Sequence, residues 1–261
     1  MILSRITKHL KQQHWSGVFI ELIIVVLGVF IGLQADNWNA AREDAARGRQ
    51  YLLRIADNLQ SDLDLYRDRL AFWNKVTAYG KTGLAYANNG ESSGDNAQWK
   101  VLLAFFQASQ TAEIWVDRTA YEELKSSGEF RLIHDVKLRR ALAKYYIDTA
   151  NPTLTVRPAY RENVRALIPY HIQHYIWQNC YGPGPNGDQV FVDCVSPISN
   201  QEAASIVTRI AADERLMGEL TYWLSSLDVA SLIVKFQAGV ASDLRDRALA
   251  EAGLHKEQAA P

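Results

Sequence analysis

The stretch Trp15–Trp38, WSGVFIELIIVVLGVFIGLQADNW, decides the architecture of the chain. From Val18 to Leu33 every residue is apolar or glycine except Glu21. With Gly17 and Gln34 the run reaches about 18 residues, roughly 27 Å of helix, close to the ~30 Å hydrocarbon core of a bilayer. Trp15 and Trp38 stand at its two ends, where indole rings favour the headgroup layer. Residues 1–14 hold Arg5, Lys8 and Lys11 and no acid. The positive-inside rule then puts the N-terminus in the cytoplasm and the remainder outside. A cleaved signal peptide is the competing reading. The apolar run is long for one, and Leu33-Gln34-Ala35 and Asn39-Ala40-Ala41 are poor cleavage sites. A buried helix of a soluble protein fits the flanking charge and tryptophans less well. The expectation is a cytoplasmic tail over 1–14 and one uncleaved transmembrane helix over 15–35.

One face of this helix differs from the others. Gly17, Glu21, Gly28, Gly32, Ala35 and Asn39 fall close together in helical phase at ~100° per residue. Gly28 and Gly32 form a GxxxG pair, which lets two backbones approach closely. A carboxylate in hydrocarbon costs on the order of 2–3 kcal/mol at mid-bilayer and less near an edge. Three states are open to Glu21: protonated, paired across a helix–helix contact, or reaching back to the headgroups. Glu21, Gly28 and Gly32 form the candidate interface, with a second copy or another membrane protein as partner.

Beyond this segment the chain carries a net charge of about −3, against −1 for the whole. No basic balance points to nucleic acid. The outer part, about 220 residues, is long enough to bury a sizeable core. Its two cysteines, Cys180 and Cys194, flank the turn-rich segment YGPGPNGDQVFVD. An oxidising compartment permits a disulfide between them, and their spacing has no zinc signature.

Apolar residues recur at Leu52, Ile55, Leu59, Leu63, Tyr66, Leu70 and Trp73, a helical stripe with Arg, Asp and Gln on the other faces. The spacing predicts a helical stalk over 36–88 that continues the membrane helix. Further helices are expected over 97–110, 117–128 and 135–150, with an extended link at 129–134. Another is expected from Pro158 to about Gln178, broken near Pro169. Ser199-Asn200-Gln201-Glu202 reads as a capping box. It opens one or two helices over 200–250, with a break near Asp213–Arg215. The fold class is therefore all-α: a transmembrane helix, a stalk, and an antiparallel bundle over 89–255. At most a small hairpin near 180–195 and a disordered tail over 256–261 accompany it.

Candidate chemistry is sparse. His171 and His174 are spaced i, i+3, but Glu162 lies more than two turns away and Pro169 disturbs the phase, so no metal site is expected. Ser126-Ser127-Gly128 lacks the Gly-x-Ser-x-Gly spacing of a nucleophile turn and reads as a helix end. Arg157, Arg161 and Arg165, at four-residue spacing, could form an anion site for lipid headgroups, acidic glycans or a carboxylate; a solvated helix face is the plainer reading. The seven tryptophans and twelve tyrosines fill a core or hold the membrane edge.

Two blocks together resemble a family of bacterial single-pass membrane proteins of unknown function. The first runs from Glu21 through Gly28 to Gly32-Leu33-Gln34-Ala35-Asp36-Asn37-Trp38-Asn39, with Ile20 where the pattern has Gly and Asp36 where Asn is common. The second comprises Thr119, Tyr121, Leu124, Ser126, Ser127, Gly128, Leu132, Ile133, Leu138, Arg139, Leu142, Tyr145 and Tyr146, with Tyr121 offset by one. The match covers about a third of the chain. It implies an anchor in the bacterial inner membrane and a helical periplasmic domain, and no known activity or cofactor. The resulting expectation is a non-enzymatic sensing, binding or scaffolding protein of the envelope. An ion-coupled accessory subunit of a membrane motor, using Glu21, is the alternative; an envelope hydrolase with a dispersed site is a third.

Overall fold

The computed structural model describes residues 15–90, 93–184 and 189–254. The tail with Arg5, Lys8 and Lys11 and the segment 255–261 lie outside the described residues. The expected all-α class is observed, with eight α-helices and one two-stranded sheet among the described residues.

Helix α1, Trp15–Asn89, is one uninterrupted element of 75 residues. Nothing in its sequence stops it: the chain has no proline before Pro152. Its first part, Phe19 to Glu43, is exposed throughout. The packed part begins at Gly48, where a Cβ would stand 2.6 Å from the Leu132 carbonyl oxygen. From there Leu52, Ile55, Leu59, Tyr66, Trp73 and Val76 are buried. The expected stalk is thus corrected: most of 36–88 is the central helix of the bundle. Periodicity alone could not tell a stripe that meets a partner helix from one inside a core.

Helix α2, Ala97–Ala108, returns along α1 after a loop whose Gly90, Gly94 and Asn96 have positive φ. Helix α3, Thr119–Ser126, starts two residues later than expected. Asp117 precedes it as an Asx turn, its Oδ1 accepting from the Thr119 amide at 3.0 Å. Gly128, at φ 73, ends this segment as anticipated. The expected extended link at 129–134 is instead a 3-10 turn, Glu129–Leu132, followed by extended Ile133. Helix α4, Val136–Asp148, is capped by Asp135. A second 3-10 turn, Pro152–Thr155, leads to α5, Ala159–Ala166, and α6, Tyr170–Asn179, separated at Pro169.

The expected hairpin is strands β1, Tyr181–Pro183, and β2, Gln189–Phe191, paired antiparallel with Tyr181 opposite Phe191. Cys180 and Cys194 are disulfide-bonded at its base, Cα–Cα 5.0 Å. Phe191 stacks on Phe72 of α1 at 5.0 Å, which seats the hairpin on the bundle. Helix α7, Asn200–Ala211, and α8, Glu214–Glu251, begin at Ser199 and Asp213, whose side chains accept from Glu202 and Leu216 amides.

Helix α8 runs antiparallel to α1: Leu224 faces Gly80, and Arg245 bonds Gln60. The lengths match. The packed part of α1, 48–89, spans about 63 Å and α8 about 57 Å at 1.5 Å per residue. Along the outer face of α8, Tyr222, Val229, Leu232 and Phe236 are exposed.

Candidate functional site

The exposed part of α1, 19–43, projects about 37 Å before Asp44 and Arg47 pair with Arg131 and Glu129 of the bundle, enough to cross the ~30 Å hydrocarbon core of a bilayer. It is long and apolar enough to cross a membrane, and none of its most apolar window is buried. Helix α8 passes the same test of length and composition, but a third of its window is buried. A Cβ added to Gly28 or Gly32 would meet nothing within 4 Å. Glu21 lies two turns below Gly28 on the same face, equally exposed. The structure leaves all three residues on one bare helix face.

A second feature escaped the sequence reading. Asn58, Asp62 and Tyr66 lie four residues apart on one line of α1. Asp62 is 1 % exposed. Its Oδ2 accepts from the Tyr145 hydroxyl at 2.7 Å and its Oδ1 from the Asp117 amide at 2.8 Å. The hydroxyls of Tyr66 and Tyr145 are 2.9 Å apart. With Tyr145 donating to Asp62, Tyr66 donates to Tyr145. Burial pushes the Asp62 carboxyl up to about 6, against the two hydrogen bonds that favour its charged form. Burial also raises both tyrosines, and the nearby Asp62 charge adds to it.

Asn58 extends this line. Its amide nitrogen donates to Asp117 and its Oδ1 accepts from the Ala120 amide at 3.2 Å. Helix α1 supplies Asn58, Asp62 and Tyr66, outside the first sequence block, while Thr119 and Tyr145 belong to the second and Asp117 lies just before it. Tyr146 packs its ring 4.5 Å from Tyr121, and its buried hydroxyl has no partner among the described residues. The arrangement can hold or release one proton at Asp62. It is closed to solvent and fastens α3 and α4 to α1. A separate cleft of about 390 Å³ is lined by Ile114, Trp115, Arg118 and Thr149 among others, and by none of the network residues. An Asp within a polar-looking helix face gave no signal of burial; the four-residue series Asn-Asp-Tyr was the only clue.

The arginine row divides. Arg157 is exposed and donates to Glu113 at 2.9 Å. Arg161 and Arg165 turn inward from α5. The first donates to the Ser109 carbonyl at 2.8 Å. The second donates to the Ser109 hydroxyl at 2.9 Å and lies 4.7 Å from the Phe106 ring centre. Burial lowers both guanidinium pKa values, that of Arg165 to about 10, with the Arg161 charge as the next cause.

His171 and His174 are both exposed, and His174 stacks on Tyr170. Among the described residues no three His, Cys, Asp or Glu side chains gather as a metal would require. Ser126 and Ser127 bond their own helix carbonyls, Glu123 and Leu124. No protein-family model, no curated protein and no solved structure matches the chain.

Proposed function

We propose that this chain is a single-pass protein of the bacterial inner membrane, with its N-terminus in the cytoplasm and its helical bundle in the periplasm. It acts without catalysis, as a binding, sensing or scaffolding module. The observation that carries this reading is the bare apolar third of α1, joined without a break to the central helix of the bundle. The Cys180–Cys194 bond supports an oxidising compartment. The resemblance of the Glu21–Asn39 and Thr119–Tyr146 blocks to a single-pass bacterial family points the same way.

In this reading copies meet through Gly28 and Gly32, where backbones can approach. The exposed row Tyr222, Val229 and Phe236, repeating every seven residues on α8, supports a second contact outside the membrane. Any rotation of one α1 against another is then delivered directly to the core through Leu52–Trp73. Two experiments test the reading. Alkaline extraction should leave the full chain in the membrane pellet, and release to the supernatant would refute anchoring. Cysteines placed at positions 28 and 32 should crosslink in native membranes, and a strictly monomeric pattern would refute association. A motor accessory using Glu21 would lose function as Glu21→Gln; full activity of that variant removes this alternative.

A further inference from the structure

Two guanidiniums enter the bundle with no acid among the described residues to meet them. Among the described residues neither Arg161 nor Arg165 has a carboxylate within 4 Å, whereas Arg157, one turn outward, has Glu113. The groups around them are polar but neutral. Gln107, Ser109 and Gln110 are buried at the end of α2, three of the six buried polar or charged residues in the described chain. Tyr181 donates to Gln107 Oε1. Arg161 reaches the Ser109 carbonyl and, at 3.4 Å, Gln110 Oε1. Arg165 spends its Nε on Ser109 and lies over Phe106 and, at 5.3 Å, Trp177. Its Nη2 is buried with no acceptor among the described residues.

The charges do not balance. The carbonyl end of α2 supplies about half a negative charge. Ring faces add a weak attraction, on the order of 1–2 kcal/mol. Two half-buried cations remain against a fraction of one counter-charge among the described residues, and their partial burial carries a desolvation cost. An apolar residue at 165 would avoid that cost, so packing does not explain the arginine. A planar fork with an unused N–H beside a second guanidinium is the donor set that receives an oxyanion.

We propose that Arg161 and Arg165 form a binding site for a small oxyanion, a carboxylate or phosphate group, seated against Ser109 and Gln110. Arg165 Nη2 supplies the donor now lacking an acceptor. Because Nη2 is closed to solvent, entry takes a shift of the neighbouring side chains. Arg157, 76 % exposed, attracts the anion from outside. This site gives the binding reading its ligand class and rests on that reading only for the compartment in which the ligand is met.

The test uses the full chain in detergent, so it is independent of membrane topology. Thermal unfolding is followed in sodium phosphate and in sodium acetate, each against sodium chloride of equal ionic strength. The expected result is a rise of about 5–10 °C at saturation in at least one of the two anions. The stronger anion tells a phosphate source from a carboxylate source. Arg161→Met and Arg165→Met should each abolish the rise, and Arg157→Met should keep most of it. If Arg165→Met fails to fold, Arg161→Met and calorimetric titration of the unaltered chain decide the matter. No rise in either anion overturns the site, as does an equal rise in the Met variants, which would mark a general salt effect.

Discussion

Asp62 is the residue on which the bundle's electrostatics turn. Its carboxyl titrates near 6 when folded, against 3.8 as the ordinary value. The folded state therefore binds more protons than the unfolded one between about pH 4 and 6. Its contribution to stability is complete below pH 3.8 and is lost as pH rises through about 6. At ~1.4 kcal/mol per unit the loss is on the order of 3 kcal/mol. Denaturant unfolding at pH 4 and pH 7 should show this decline relative to Asp62→Asn, whose profile lacks it; parallel profiles would contradict the assignment. The adjacent tyrosines give a sharper contrast. Tyr145→Phe leaves a buried carboxyl oxygen without its donor and should cost about 1–3 kcal/mol. Tyr146→Phe removes a hydroxyl that has no partner among the described residues, and should be neutral or stabilising by up to about 1 kcal/mol. Equal losses in the two variants would show that the network does not distinguish them.

Among the elements, α1 sets the geometry, and at Gly48 it approaches another segment's backbone closely. A methyl there meets the backbone oxygen of Leu132, which cannot rotate away. Gly48→Ala should cost about 1–3 kcal/mol despite the gain in helix propensity. At Gly80 the obstacle is the Leu224 side chain, so Gly80→Ala should cost less. Thermal unfolding of the pair checks the order, and the reverse order would mean that the 3-10 turn yields. Much of this level was legible beforehand. The stripe Leu52–Trp73, the caps Asp135 and Ser199, the break near Asp213, the left-handed Gly128 and the break at Pro169 each act through local stereochemistry that the sequence carries. What it could not carry is which surface covers a stripe. That is why α1 read as a stalk, why Asp62 read as a solvent-facing acid, and why a row of three arginines gave no sign that two of them turn inward. The 3-10 turn at Glu129–Leu132 was missed for a related reason. It is held by packing against Gly48, distant in sequence.

On the scale of the whole molecule, the chain is a helix of about 112 Å with a bundle gathered on its far half. The hairpin on Phe72 and Tyr79 is held by the Cys180–Cys194 bond. Opening this loop by Cys180→Ala together with Cys194→Ala should cost about 3 kcal/mol, read as a reductant-independent midpoint lower than that of the unaltered chain. The same covalent bond simplifies the decisive topological test, because the described chain has no free cysteine. Single cysteines at Lys11, before the apolar run, and at Asp95, in the exposed loop after α1, would be offered a membrane-impermeant maleimide in intact spheroplasts. The account predicts that position 95 labels at once and position 11 only after lysis. Labelling of position 11 in intact spheroplasts, or protection of position 95 until lysis, would contradict it.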